Sequence, residues 1–168
     1  MKDKLYIGID NGTSGTIGFI YNNESVFVKT PVRKEQNYTK KKGNISRIVV
    51  EQLADIFADV IGKYDTENAL CLIERPMVNP TRFKATISAI RALEATLIVL
   101  EWMGVPHAYI DSKEWQKELL PIGIKGSPEL KRASMDIGIR LFPQHKELIE
   151  KHKDADGMLI AEFARRKY

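Results

Sequence analysis

Two short apolar runs constrain this chain more than anything else in it. Leu5-Tyr6-Ile7-Gly8-Ile9 stops at Asp10, and much further on Ala69-Leu70-Cys71-Leu72-Ile73 stops at Glu74. Both have the length and the β-formers of buried strands. The polar Asn11-Gly12-Thr13-Ser14-Gly15 turn closes the first, and Arg75-Pro76 with Asn79-Pro80 bars a helix directly after the second. Thr16-Ile17-Gly18-Phe19-Ile20-Tyr21 and Ser25-Val26-Phe27-Val28-Lys29-Thr30, joined at Asn22-Asn23, predict an antiparallel meander of three strands with the first. Apolar residues at 45, 49, 53, 56, 57, 60 and 61 have a helical period, which predicts a crossover helix over 45–64 with Asn44 as its N-cap. The strand ending in Glu74 is then parallel to the first.

The remaining segments alternate. Residues 83–103 predict a long helix with Ile87, Ile90, Leu93, Leu97 and Leu100 on one side and Ile98 and Trp102 elsewhere, so that more than one face is apolar. Such a helix is either deeply buried or part of an interface. A strand over 106–110 follows, then a short helix capped by Asp111 or Ser112 and carrying Trp115. Ser127-Pro128-Glu129 opens a further helix to about Leu141, and a final helix over 156–166 lies on the sheet. Between residues 29 and 47 stand Lys29, Arg33, Lys34, Lys40, Lys41, Lys42 and Arg47 against the single acid Glu35, which reads as a mobile basic loop. The assembly is one α/β domain over residues 1–168.

Composition narrows the classes. With 168 residues, 43% hydrophobic and 29% charged, the chain has a core and is neither disordered nor repetitive. Apolar stretches are broken by Glu or Lys well short of a membrane span, and Met1-Lys2-Asp3-Lys4 runs into a strand and not a signal peptide; the expectation is a cytoplasmic protein without membrane contact. A lone cysteine, Cys71, excludes an internal disulfide and a cysteine-based zinc site. The net charge of +4 is a mild bias towards polyanionic partners.

Adjacent parallel strands would bring Asp10 and Glu74 within a few ångströms. Clustered carboxylates repel unless a cation sits among them, and Asp154 and Asp156 before the last helix are candidates to complete the cluster. Hard oxygen donors favour magnesium or manganese over zinc. Asp10 also lies in Gly8-Ile9-Asp10-Asn11-Gly12, whose glycines permit close approach of a ligand or of backbone.

Gly8-Ile9-Asp10 with its meander, Leu72-Ile73-Glu74, and His152-Lys153-Asp154-Ala155-Asp156-Gly157-Met158 resemble the three catalytic blocks of the RuvC-type Holliday junction resolvases. The stretch from Ser112 through Lys131 to Leu141-Phe142-Pro143 resembles the segment those proteins carry before the last block. The resemblance covers nearly the whole chain, and the basic loop suggests a compact phage-type member. It implies a ribonuclease H-like fold, with a mixed five-stranded sheet of three antiparallel and then parallel strands flanked by helices. It implies an endodeoxyribonuclease of DNA recombination and repair, cutting four-way or branched DNA as a homodimer through the 83–103 helix. Asp10 would bridge two Mg2+ ions, Mn2+ substituting, with Glu74 on one and Asp154 and Asp156 on the other. Lys40, Lys41, Lys42, Arg75, Arg82, Phe83, Lys84 and Lys131 would meet the DNA, Lys153 could steady the scissile phosphate, and Met77, like Phe83, could press on an unstacked base.

The sequence departs from the family at one place: the acid or histidine usual three residues before the last Asp is here Lys153. If the last helix begins at or after Ala155, Asp154 is a cap and can turn to the metal. If it begins earlier, residues 154 and 156 are about 200° apart around its axis and His152 is the substitute. Three other readings stand, one of them a non-catalytic junction- or nucleic-acid-binding module with a decayed site. The same fold can cut RNA, and Gly8 to Gly15 also resembles the first phosphate-binding loop of sugar kinases and actin-like ATPases.

Overall fold

The computed structural model describes residues 3–64 and 68–168; Met1 and Lys2, read above as leading into the first strand, lie outside the described residues. Strands β1 (Leu5–Ile9), β2 (Thr16–Tyr21) and β3 (Glu24–Lys29) are followed by β4 (Val32–Gln36), β5 (Asn44–Ile48) and helix α1 (Val50–Tyr64). Then come β6 (Ala69–Glu74), α2 (Phe83–Trp102), β7 (His107–Ile110), α3 (Ser112–Leu119), α4 (Ser127–Leu141), α5 (Lys146–His152) and α6 (Asp156–Lys167). The main sheet has the order β3-β2-β1-β6-β7, antiparallel from β3 to β1 and parallel from β1 to β7. This is the mixed five-stranded sheet that the resemblance implies.

Side chains alternate across it. Leu5, Ile7, Ile9, Ile17, Phe19, Cys71 and Ile73 point to one face and are buried with Leu53, Phe57 and Val60 of α1 and Val99 and Leu100 of α2. Each such side chain contributes about 1.5–3 kcal/mol of burial. On the other face Leu72 packs with Leu159, Ile160 and Phe163 of α6, and Ile20 and Phe27 pack with Met158 and Ala161. The sheet is therefore sandwiched, with α1 and α2 on one side and α6, flanked by α3, α4 and α5, on the other.

Helix α6 sits unusually close to the strands because glycine faces it. A Cβ on Gly8 would stand 2.2 Å from the Ala161 nitrogen, and one on Gly157 would stand 2.3 Å from the Thr16 carbonyl oxygen. Gly8, two residues before Asp10, thus serves backbone approach by a helix.

Two sequence expectations need correction. Residues 29–47 are not a mobile loop, because β4 and β5 pair antiparallel from Val32 opposite Ile48 to Gln36 opposite Asn44, as a separate two-stranded sheet. Glu35 is bridged by Arg33 (3.1 Å) and Arg47 (2.6 Å), and Ile48 reaches the main core. Most of the hairpin's basic side chains face water, so its composition says nothing against a ladder. Asn44 accordingly opens β5 and is not a helix cap, and α1 starts at Val50. Helix α5, between α4 and α6, carried no sequence expectation.

Candidate metal centre

The site begins with register. Ile9 lies opposite Ile73 in the parallel β1–β6 pair, so Asp10 and Glu74 leave the sheet side by side. Since Ile9 and Ile73 face α1 and α2, alternation turns both acids to the face where α6 begins. The Asp10 N–H donates to the Thr16 carbonyl (3.0 Å), which closes the glycine-rich turn under the carboxylate.

The second pair of acids comes from a break between helices. Helix α5 ends at His152, Lys153 takes a left-handed conformation (φ 53°), and the chain re-enters helix at Asp156. Asp154 therefore precedes α6, as in the first of the two alternatives above. Its Oδ1 accepts from the Asp156 N–H (2.9 Å) and from the Thr16 hydroxyl (2.7 Å), while Thr16 Oγ1 accepts from the Gly157 N–H (3.1 Å). This network pins the start of α6 to β2, and lets residues 154 and 156 face one point. His152 is elsewhere, its ring 6.2 Å from that of Phe27.

Asp10, Asp154 and Asp156 each present an oxygen within 4.8 Å of the other two. Glu74 stands just outside this trio, its Oε2 accepting from the Trp115 indole N–H (2.8 Å). Burial, then the charges of Asp154, Asp156 and Glu74, pushes Asp10 well above the usual carboxylate range. Burial also raises Asp156, aided by Asp154, and raises Glu74 against the opposing hydrogen bond from Trp115. The donor set is all carboxylate oxygen on a corner short of positive charge, and it fits a hard divalent cation.

Among the described residues, Lys131 of α4 is the cation paired with this corner. Its ammonium bonds Asp154 Oδ2 and, at 2.8 Å, Asp156 Oδ2. Burial disfavours that charge, but Asp156 and Asp154 outweigh it and raise the lysine. Ser134, one turn further along α4, donates to Asp156 Oδ1. The sequence assigned Lys131 to DNA; the structure engages it with the acids. The parts played by Thr16, Trp115 and Ser134 went unread. Only Ser134 left a trace, three residues after Lys131 on one helical face.

The expected DNA contacts fall into two groups. Lys40, Lys41 and Lys42 are exposed in the turn of the β4–β5 hairpin. Arg75 and Arg82 line a cleft of about 700 Å³ that opens beside Glu74 and includes Met77 and Lys113. Arg75 is also paired with Asp111 (3.1 Å). Phe83 and Lys84 open α2, Phe83 being 70% exposed and no anchor to the core. Lys153 is exposed behind Asp154.

No family model and no curated protein matches the sequence. Among solved structures the chain is similar to Thermus thermophilus RuvC in complex with a Holliday junction substrate, at TM-score 0.51 and 17% identity over 98% of this chain and 96% of that one. A second Thermus thermophilus RuvC structure aligns at TM-score 0.46 and 16% identity, over 96% of each chain. The first likeness establishes the fold, which is ribonuclease H-like as the resemblance implies.

Proposed function

We propose that this chain is a magnesium-dependent, structure-selective endodeoxyribonuclease that resolves four-way or other branched DNA. The observation that carries the reading is the convergence of Asp10, Asp154 and Asp156, with Glu74 beside them, on a ribonuclease H-like sheet. The similar fold of a protein solved with a Holliday junction supports it.

In this reading Asp10, Glu74, Asp154 and Asp156 hold two Mg2+ ions, for which Mn2+ substitutes. When bound, such ions activate water and stabilise the leaving oxygen of a phosphodiester. The chain's own contribution is rigidity. Thr16 and the Asp156 N–H fix Asp154, Ser134 fixes Asp156, and Trp115 orients Glu74. Lys40, Lys41 and Lys42 meet phosphates from the hairpin turn, and Arg75, Arg82, Phe83 and Lys84 meet DNA around the cleft, mostly through backbone.

A junction is near two-fold symmetric and needs two cuts, which a symmetric dimer supplies. Beyond Phe83, helix α2 leaves Ile87, Ile90, Ile98 and Trp102 exposed, and α6, on the opposite side of the sheet, does not cover them. That face is our choice for the homodimer contact. The 168 residues act as one nuclease domain of phage type, working in the cytoplasm in DNA recombination and repair; among the described residues no helix is long and apolar enough to cross a membrane.

The test is a parallel digestion of a four-way junction, a Y-fork, a linear duplex and an RNA:DNA hybrid with Mg2+, by the wild type and Asp10→Asn. Junction cleavage lost in the variant supports the proposal. Preferred cleavage of the hybrid assigns the site to RNA.

A further inference from the structure

We infer that Lys131 is a resident counter-cation that occupies the acidic corner until a divalent ion displaces it, so that metal affinity is set by competition with the chain's own ammonium. The inference rests on the metal-dependent reading above and deepens it. Every carboxylate oxygen of Asp154 and Asp156 already accepts a hydrogen bond. Asp154 Oδ1 accepts from Thr16 and the Asp156 N–H, Asp156 Oδ1 accepts from Ser134, and both Oδ2 atoms accept from Lys131. The Thr16 and Asp156 bonds are built into the docking of α6 on β2 and cannot be given up without moving the helix. The lysine bonds can: the side chain is 41% exposed, on a flexible stem that leads out to solvent. An ion shared with Asp10 on either Oδ2 would meet the ammonium at once, so the corner is most readily opened by lifting the lysine away.

Electrostatics gives the lysine this place. Burial disfavours the charges of Asp10, Glu74 and Asp156, Asp154 joins them, and Lys131 is the ion-pair partner of Asp154 and Asp156 among the described residues. A divalent ion offers the same corner more charge in less volume, but must first overcome two charge-assisted hydrogen bonds and the repulsion of the cation already there.

The test is calorimetric titration of Mn2+ into the wild type, Lys131→Met, Lys131→Arg and Asp10→Asn, with thermal melts in chelator. We expect Lys131→Met to bind Mn2+ about tenfold more tightly, roughly one charge-assisted hydrogen bond at a half-exposed pair, and to melt lower without metal. Lys131→Arg keeps the charge and should stay near wild type. Unchanged or weaker Mn2+ binding by a folded Lys131→Met overturns the inference while leaving the metal site standing. Failure of the wild type to bind Mn2+ more tightly than Asp10→Asn removes the metal reading and this inference with it. Should Lys131→Met not fold, acylation of the wild type by an N-hydroxysuccinimide ester decides the matter. Mn2+ should raise the reactivity of Lys131 several-fold relative to Lys40, Lys41 and Lys42, and an unchanged ratio refutes displacement.

Discussion

Replacing Gly8 by alanine tests whether the close seat of α6 is what assembles the site. The added methyl would lie 2.2 Å from the Ala161 nitrogen, 2.3 Å from the Gly157 carbonyl oxygen and 2.7 Å from the Ile160 carbonyl carbon, where ordinary contact starts at 3.4 Å. All three neighbours are backbone, so no side chain can swing aside, and α6 must retreat by about 1 Å. Overpacking of this kind costs about 1–3 kcal/mol, and rigid neighbours place it at the upper end. For a domain of this size that is a fall of roughly 6–12 °C in melting temperature. The more telling effect is on the metal centre. Asp156 rides on α6 while Asp10 rides on β1, so the retreat opens the trio, and a misplacement of that size costs on the order of 100-fold in rate. Differential scanning calorimetry, Mn2+ titration and junction cleavage on the same preparation would measure all three. A Gly8→Ala protein that melts and binds Mn2+ as the wild type does would show that the helix is not held by this contact.

Asp10→Asn, Glu74→Gln, Asp154→Asn and Asp156→Asn should each lower cleavage by more than the ~10–100-fold that outer partners of a metal cost. His152→Ala, whose ring lies against Phe27, should be nearly silent in the same gel assay. Neutralising Lys40, Lys41 and Lys42 together should weaken binding to all junctions alike and reduce the slope of log affinity against log salt by about 2.7 if all three meet phosphates; an unchanged slope would leave them as solvated charge. Asp10 also predicts a pH dependence. Its folded pKa is raised, so the stability it contributes is fully present below its unfolded value near 3.8 and is lost as pH rises through the folded value. In chelator, Asp10→Asn should therefore melt increasingly above the wild type as pH rises above that unfolded value, and parallel curves would contradict the burial of that charge.

The strands of the main sheet were legible because their signal is local. An apolar run of five residues that stops at an acid has few ways to be satisfied, and β1 and β6 take the one that was read. The β4–β5 hairpin was not legible for the opposite reason. Its ladder is made by backbone, while its side chains are those of a solvated loop, so charge spoke for mobility where pairing decided for order. Ile45 and Val49 added a helical spacing by coincidence, drawing the start of α1 five residues too early.

In the site, the acids on the strands could be placed by parity alone, since alternation along β1 and β6 sends Asp10 and Glu74 to one face. Asp154 needed the exact start of a helix, and helix boundaries depend on capping partners distant in sequence. Thr16 is such a partner, 138 residues away, and nothing around it marks it as the hydroxyl that holds Asp154. The role of Lys131 was hidden more deeply. A lysine on an amphipathic helix reads as a solvated or phosphate-binding charge, and only folding shows which anion it meets first. Asp154 and Asp156 stand side by side, and the one ammonium reaches both. A cluster that was legible as four carboxylates becomes, in three dimensions, four carboxylates and an ammonium.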